Sequence, residues 1–254
     1  MIFRLIFYVT KIIRDMKLLR FELDGRAHNG VVEDDAVIDE RTKKEYPLDE
    51  IEFLPPVNPP KIICMGFNYP KHRKEMDDIA TSKPTLTLKS PTSVIGHKQK
   101  IILPEIPSGV EHEAELGVVI KKPGYNIENP LEHILGYTIV NDVTARDLER
   151  EMIQWSASKS FPTFCPTGPW IETDINPGNL NIKCTVNGEL RQNCGTKEMT
   201  HSPEECVSFA SKFMKLQTGD LIATGTPPGV GILVSGDVVE IGIEKIGVLR
   251  NRVA

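Results

Sequence analysis

The sequence lacks the features that would assign it to a specialised class at once. Its 254 residues carry a formal net charge of −5, and such a mildly acidic balance argues against a nucleic-acid-binding surface. The five cysteines form no CxxC pair and show no zinc-like spacing, which favours free thiols in a reducing cytoplasm. The apolar run over 2–9 is too short to span a bilayer, and no signal-peptide cleavage site follows it. We therefore expect a cytoplasmic protein that binds neither membranes nor nucleic acid.

Composition and proline placement predict how the chain is divided. With 40% hydrophobic and 26% charged residues, the composition is ordinary for a globular protein. Residues 1–15 are interpreted as an extension or a start-codon artefact ahead of Met16, with a short partner-binding segment as the alternative. Short strands separated by turns predict a small N-terminal β domain over 16–60, which ends in a stiff, proline-rich connection. The main domain then covers 61–254, and the predicted fold class is α+β, rich in β.

One helix near the C-terminus has a clear start signal. Ser202, Pro203 and Glu205 fit an N-cap, a first helical turn and the third position of a capping box. The helix should end near Gly219. Four apolar residues at helical spacing are predicted to face the core: Val207, Ala210, Phe213 and Met214.

The central functional signal is an acidic alternation that leads into an apolar strand. Side chains at i and i+2 of a strand share one face, so Glu113 and Glu115 should lie side by side, and Glu111 could extend the row. Buried like charges repel one another unless a cation compensates them, and Mg²⁺ is a hard ion that carboxylates bind. An edge strand with a solvated acidic face is the alternative, and this stretch alone favours that alternative.

Two other polar positions are ambiguous by themselves. Asp142 follows a strand-like run, where a carboxylate needs a partner: either Arg146 or a metal ion shared with the two glutamates. His72 and Glu75 lie three residues apart and would share one face of a helix. An incidental surface pair is the simpler interpretation of this spacing.

Two loops add further candidates. Lys159 stands in a polar stretch, where a lysine is usually solvated. The loop 225–231 is not a nucleotide-binding motif, because it lacks a Gly-Lys-Ser/Thr ending and does not open a helix. It is either a plain turn or a rigid loop that offers Thr226 and backbone N–H groups to a small anion.

Seven segments occur in an order that is specific, although each is ambiguous alone: GFNYPKH at 66–72, KSPTSVIG at 89–96, HEAELGVVI at 112–120, GYTIVNDVTARD at 136–147, KSF at 159–161, VNGE at 186–189 and GTPPGVG at 225–231. Together they resemble the fumarylacetoacetate hydrolase (FAH) family. The similarity is greatest to its small acylpyruvate hydrolases and related isomerases and decarboxylases. The resemblance implies an FAH-type mixed β-sheet roll behind the small N-terminal domain.

The resemblance also implies a metal site and a catalytic pair. Glu113, Glu115 and Asp142 match the ligands that hold Mg²⁺, Mn²⁺ or Ca²⁺ in such proteins. His72 matches the base that deprotonates water, with Glu75 orienting the imidazole.

The resemblance also implies which positions lie near the substrate. Lys159 matches a lysine that supplies positive charge beside the metal. The substrate-binding positions implied are Lys89, Arg146, Glu149 and Thr226, although Arg146 could instead hold Asp142.

The implied activity is hydrolysis of a carbon–carbon bond in a β-diketo acid of the acylpyruvate or fumarylpyruvate type. One departure bears on it, because many hydrolases of the family carry glutamine where this sequence has Glu149. An isomerase, decarboxylase or dehydratase acting on a 2-oxo acid is therefore the second hypothesis. A non-catalytic metal or oxo-acid binding protein is the third. The resemblance further implies a homodimer.

Overall fold

The fold is described by a computed structural model over residues 16–76, 84–106 and 109–254. Within these residues four helices are present: Pro70–Glu75 (α1), Arg146–Glu151 (α2), Ser156–Lys159 (α3) and Pro203–Ser211 (α4). Single 3-10 turns cover Pro91–Ser93, Pro130–Glu132, Pro177–Asn179 and Thr196–Glu198. The interpretation of residues 1–15 as an extension lies outside the described residues.

Strands make up most of the regular structure. In chain order they are Lys17–Leu23 (β1), Arg26–Glu33 (β2), Ala36–Asp39 (β3), Glu45–Pro47 (β4), Glu52–Leu54 (β5), Ile62–Gly66 (β6), Thr85–Lys89 (β7), Val94–Ile95 (β8), Lys100–Ile101 (β9), Val110–His112 (β10), Ala114–Ile120 (β11), Ile134–Asn141 (β12), Thr144–Ala145 (β13), Cys165–Glu172 (β14), Asn181–Val186 (β15), Glu189–Gly195 (β16), Leu221–Ala223 (β17), Gly231–Ile232 (β18), Val238–Ile243 (β19) and Gly247–Val253 (β20). The predicted strand-rich α+β class is confirmed.

A large mixed sheet forms the centre of the molecule. Its main path runs β4-β3-β2-β1-β14-β12-β11-β17-β6-β7, with β5 paired to β1 and β8 to β14. Strand β17 runs parallel to β6, whereas β11 is antiparallel to both of its neighbours. A five-stranded sheet (β16-β15-β19-β20-β9) and a three-stranded sheet (β13-β10-β18) complete the described strands.

The N-terminal strands have a hydrophobic core of their own but continue the large sheet. Strand β1 pairs with β14 as well as with β2 and β5. The buried residues that form this separate core are Leu19, Phe21, Val32, Val37, Ile51 and Phe53. Strands β1–β5 thus form a small β unit joined to the main sheet through backbone hydrogen bonds, and the domain boundary near residue 60 stays a prediction.

The C-terminal helix begins as predicted and ends earlier. Ser202 and Glu205 form the reciprocal capping box. The helix stops at Ser211 instead of near Gly219, so Phe213 and Met214 lie beyond its end. The prediction that Phe213 faces the core is wrong: it is 65% exposed and packs edge-on against Phe209.

The central strand β11 determines where the polar residues meet. All seven of its residues are buried, as expected for a strand covered on both faces. Its register pairs Ala114 with Asn141 on β12 and Gly117 with Ala223 on β17. The segments just before β11, just after β12 and just after β17 therefore lie together at the same end of these three strands. Among the described residues, no helix has the length and apolar character needed to cross a membrane.

Candidate metal centre and active site

Three carboxylates converge where β11 begins and β12 ends. Glu113 precedes β11, Glu115 is its second residue and Asp142 follows β12, and all three are buried. The Asp142 backbone N–H donates to the Glu113 carbonyl at 2.9 Å, which holds the two segments together. One carboxylate oxygen from each of the three residues lies within 4.8 Å of those of the other two. This is the oxygen-rich arrangement that a hard divalent cation requires.

Two lysines approach the trio. Lys159 Nζ donates to Glu113 Oε2 at 2.9 Å, to Asp142 Oδ2 at 2.9 Å and to Thr144 Oγ1 at 2.8 Å. Lys89 Nζ donates to Asp142 Oδ1 and, at 3.0 Å, to the Val143 carbonyl. Lys159 is the last residue of the short helix α3 and is buried, so the alternative of a solvated loop lysine is wrong, and its ammonium group lies beside the trio as the resemblance implies. Lys89, which the resemblance places at the substrate, is not among the residues that line the cavity, and its ammonium group binds Asp142 instead.

Arg146 binds carboxylates on three sides. Its Nε donates to Glu111 Oε2 at 2.8 Å, Nη2 donates to Glu113 and Nη1 donates to Glu149. The alternative that Arg146 holds Asp142 is wrong, because Asp142 faces the two lysines instead. Glu111, which lies just outside the matched segment 112–120, is part of this arrangement through Arg146.

The pKa values of the trio differ because their cationic partners differ. Burial opposes ionisation of Glu113, yet Lys159 and Arg146 hold its pKa well below the usual range. Burial likewise opposes ionisation of Asp142, and Lys159 and Lys89 lower its pKa. Burial, followed by repulsion from Asp142 and Glu113, raises the pKa of Glu115 well above its usual value. Glu115 is therefore the carboxylate whose charge is least compensated.

The charge around the trio fits a divalent cation. When ionised, the three carboxylates together with Glu111 and Glu149 carry five negative charges, against three positive charges on Lys89, Arg146 and Lys159. Among the described residues, no lysine or arginine forms an ion pair with Glu115, whose Oε2 accepts only the Gly225 backbone N–H at 2.7 Å. One divalent ion would neutralise the excess of two charges and supply the missing partner of Glu115.

His72 lines the same cavity and is paired with Glu75. Both residues lie on α1, which begins with Pro70, and His72 Nδ1 lies 2.8 Å from Glu75 Oε2. The other Glu75 oxygen accepts the Gly229 backbone N–H at 2.9 Å. Burial opposes ionisation of Glu75, but the bonds from His72 and Gly229 lower its pKa. The carboxylate accepts the imidazole Nδ1–H, which leaves Nε2 as the proton acceptor.

A hydrogen-bonded amide fixes the loop after β17. Gln192 Nε2 donates to Thr226 Oγ1 at 2.8 Å and to the Pro227 carbonyl at 2.7 Å. Its Oε1 accepts the Ala114 backbone N–H at 3.1 Å and lies 3.0 Å from His112 Nδ1. Sequence reasoning missed Gln192 because it follows an ordinary hairpin, with no local pattern that connects it to residues about eighty positions away.

The cavity is lined by both charged and apolar side chains. It encloses about 350 Å³, open to solvent, and the trio, Arg146, Glu149, Lys159, His72 and Thr226 line it. Its large apolar lining residues are Met65, Phe67 and Trp155. Phe67 and Trp155 meet edge-on with ring centroids 5.2 Å apart, and the Phe67 ring lies 6.1 Å from that of His72.

Comparisons with known proteins agree with this arrangement. Residues 61–254 match the family described as fumarylacetoacetate (FAA) hydrolase C-terminal, and residues 16–56 match one described as Rv2993c-like, N-terminal. The mitochondrial oxaloacetate tautomerase of Xenopus laevis is 42% identical over 218 residues, covering 80% of this chain and 68% of that protein.

Solved structures show the same fold. The 5-carboxymethyl-2-hydroxymuconate delta-isomerase from Mycobacterium smegmatis is 38% identical with a TM-score of 0.88, covering 94% of this chain and 98% of that chain. A maleylpyruvate hydrolase from Sphingobium sp. SYK-6, solved with manganese(II) and pyruvate, is 28% identical with a TM-score of 0.82, covering 94% of this chain and 99% of that chain.

These matches confirm the resemblance found in the sequence. The family match spans the whole main domain, and the named relatives include a tautomerase, an isomerase and a hydrolase. The family uses a divalent metal, which the buried acidic trio fits. The chain belongs to the fumarylacetoacetate hydrolase family of enzymes.

Proposed function

We propose that the protein is a divalent-metal-dependent hydrolase that cleaves a carbon–carbon bond of a β-diketo acid of the acylpyruvate type. The observation that carries this proposal is that His72, which is paired with Glu75, lines the same cavity as the carboxylates Glu113, Glu115 and Asp142. Hydrolysis needs a base for water and a centre that polarises the oxo acid, and one cavity offers both.

The carboxylate trio would hold the ion. A bound Mg²⁺, Mn²⁺ or Ca²⁺ supplies positive charge that polarises the oxygens of an oxo-acid substrate. Lys159 adds a fixed charge on the same side, since its ammonium group donates to both Glu113 and Asp142. These contacts keep the Glu113 and Asp142 carboxylates oriented toward the space between the start of β11 and the end of β12.

His72 would transfer the proton. Glu75 accepts the Nδ1–H and is itself held by Gly229, so the imidazole presents Nε2 to the cavity as a base. Nε2 takes a proton from water while the water oxygen bonds to the carbonyl carbon farther from the carboxylate. The carbon–carbon bond then breaks, and its electron pair remains on the departing pyruvate carbon. That carbon takes the proton back from His72, so the pair ends the cycle in its starting state.

The proposal is tested with acetylpyruvate and Mg²⁺. Wild-type protein should consume the enol absorbance and release pyruvate and acetate, and EDTA should abolish both signals. His72→Asn should lower kcat by at least about a hundredfold. His133→Asn, a histidine whose Nδ1 contacts the Lys122 carbonyl instead of the cavity, is the matched control and should retain activity. Turnover that is indifferent to EDTA would contradict the proposal.

A second candidate is tautomerisation or isomerisation of a 2-oxo acid. The similarity to an oxaloacetate tautomerase and to a delta-isomerase favours it. This chemistry needs the same base, but no water attacks the substrate. Enzyme-catalysed deuterium exchange at the carbon next to the carbonyl, without release of acetate, would support this candidate. A non-catalytic protein would bind Mn²⁺ and pyruvate but catalyse neither reaction.

We also propose that the protein acts in the cytoplasm as a homodimer whose ligand is a small oxo acid. The proposal of a dimer rests on membership of the family. Sedimentation at micromolar concentration should give twice the mass of the chain, and a monomer under these conditions would contradict it.

A further inference from the structure

One edge of strand β11 loses its neighbouring strand at the level of the metal site. Strand β17 and the residue after it follow this edge as far as Leu116, whose carbonyl accepts the Thr224 backbone N–H at 3.1 Å. The chain returns to the same edge only at β18, which pairs with β10, the strand before β11. Ala114 lies in the gap, between Glu113 and Glu115, and among the described strands none pairs with it on this side.

Two side chains fill this gap. The Ala114 backbone N–H donates to Gln192 Oε1 at 3.1 Å, and the Ala114 carbonyl accepts the Thr226 hydroxyl at 3.0 Å. Gln192 Nε2 donates to Thr226 Oγ1 at 2.8 Å, which joins the two side chains. Together they present the acceptor and the donor that a neighbouring strand would offer to Ala114.

The orientation of the Gln192 amide is fixed by its four partners. Its Oε1 accepts the Ala114 N–H and lies 3.0 Å from His112 Nδ1. Its Nε2 donates to Thr226 Oγ1 and, at 2.7 Å, to the Pro227 carbonyl. An amide side chain has two N–H donors and an oxygen that accepts two bonds, so its capacity is fully used. Because a backbone N–H only donates and a carbonyl only accepts, the amide cannot be reversed.

The Thr226 hydroxyl proton is used inside the protein. A hydroxyl has one proton, and the Thr226 oxygen already accepts from Gln192 Nε2. The proton therefore goes to the Ala114 carbonyl at 3.0 Å or to the more distant Pro227 carbonyl at 3.5 Å. Thr226 lines the cavity, but this geometry favours a supporting role for its hydroxyl over the substrate contact that the resemblance implies.

The opposite edge of the same segment is held by β12. Glu113 donates its backbone N–H to Asn141 Oδ1 at 3.0 Å, and its carbonyl accepts the Asp142 N–H at 2.9 Å. The Gln192 amide and the Thr226 hydroxyl therefore complete a clamp on the backbone between two metal ligands. A shift at this point would move both glutamates, and hard divalent ions tolerate only small changes in the distances to their ligands.

We propose that Gln192 is a positioning residue for the divalent-ion site. By completing the open edge of β11 at Ala114, directly and through Thr226, it sets where Glu113 and Glu115 present their oxygens. The proposal rests on the proposed metal-dependent function and adds to it a residue that is not among those lining the cavity.

The test compares loss of the Gln192 amide with loss of a similar buried amide elsewhere. Asn251 is 2% exposed, and its Nδ2 donates to the Gly96 and Gln99 carbonyls, away from the cavity lining. Gln192→Met and Asn251→Leu should both lower the urea midpoint in EDTA. Mn²⁺ titrations followed by electron paramagnetic resonance, at a temperature where circular dichroism shows folded protein, separate them. Gln192→Met should weaken Mn²⁺ binding by at least about tenfold, and Asn251→Leu should keep the wild-type affinity.

A second pair of variants tests the hydroxyl half of the clamp. Thr226→Val keeps the shape of the side chain and removes the hydroxyl, so it should also weaken Mn²⁺ binding by about tenfold. Thr226→Ser restores the hydroxyl and should restore the wild-type affinity. This pair decides the matter by itself if Gln192→Met does not fold.

The outcomes separate the positioning role from the ion site. Unchanged Mn²⁺ affinity in Gln192→Met, or an equal loss in Asn251→Leu, would overturn the positioning role and leave the ion site in place. Equal affinities of Thr226→Val and Thr226→Ser would also overturn it. Absence of Mn²⁺ binding to wild-type protein would instead overturn the ion site on which the proposed reaction depends.

Discussion

Replacing Glu115 with glutamine should stabilise the metal-free protein and weaken its divalent-ion site. Glu115 is 2% exposed and accepts one backbone N–H, from Gly225. Glutamine keeps the shape and an acceptor for that N–H while removing the charge that Asp142 and Glu113 repel. The two effects have opposite signs, so a general loss of structure cannot produce both.

The magnitude follows from the charge separation and from proton linkage. Two charges about 5 Å apart repel by about 3 kcal/mol at an effective dielectric constant near 20. The protein avoids part of this cost by protonating Glu115, whose folded-state pKa is raised above 4.5. Its contribution to stability is therefore complete below pH 4.5 and is lost as pH rises, at about 1.4 kcal/mol per pH unit until the folded-state pKa is reached. We expect Glu115→Gln to gain about 2 kcal/mol near neutral pH.

Urea unfolding in EDTA and in Mn²⁺ measures both effects. In EDTA, the free energy of unfolding of Glu115→Gln should exceed that of wild-type protein near neutral pH, and the gap should close near about pH 4.5. In saturating Mn²⁺ the order should reverse, since an ion at a hundred times its Kd adds about 2.7 kcal/mol to the wild-type protein. Glu128→Gln, on an exposed loop, is the control for the loss of one negative charge.

One result would refute this reasoning. If Glu115→Gln is less stable than wild-type protein in EDTA near neutral pH, repulsion within the carboxylate trio is not the dominant energy at this position. An unchanged response to Mn²⁺ would show that Glu115 does not bind the ion.

Two substitutions should weaken the support around the site, and one pH effect concerns His97, which lies away from it. Gln192→Leu removes the amide that donates to the Thr226 hydroxyl and the Pro227 carbonyl, and leaves these buried groups without that hydrogen bond. The free energy of unfolding in urea titrations should therefore fall by about 3 kcal/mol. A fall of less than about 1 kcal/mol would contradict this. Lys89→Met leaves Asp142 with only one cationic partner and should cost about 3 kcal/mol in EDTA, and an unaltered urea midpoint would argue against a supporting role. Burial, followed by two cationic neighbours, lowers the pKa of His97 to about 4, below its usual 6.5. Stability should therefore fall by about 1.4 kcal/mol per unit as pH drops from 6.5 toward 4, a slope that should flatten in His97→Gln.

The sequence was sufficient for features that depend on local spacing. The i and i+2 positions of Glu113 and Glu115 follow from strand geometry, and the His72–Glu75 pair follows from helix geometry. The capping box at Ser202 likewise depends only on residues within four positions.

Features set by strand pairing and packing could not be predicted in this way. Lys159 looked solvated because its acceptors lie on distant segments, and only the fold brings Glu113 within 2.9 Å of it. The sequence left Arg146 open between the substrate and Asp142, its sequence neighbour, whereas α2 directs its guanidinium toward Glu111 and Glu113. The exposure of Phe213 reflects where α4 ends, which the apolar periodicity alone does not fix.

The central claim is that Glu113, Glu115 and Asp142 form one divalent-ion site. The most direct test is equilibrium titration with Mn²⁺, followed by electron paramagnetic resonance of the free ion. Wild-type protein should bind one ion per chain, and Glu113→Gln and Asp142→Asn should each weaken binding by at least about tenfold. Absence of binding to wild-type protein, or equal affinity in both variants, would contradict the account.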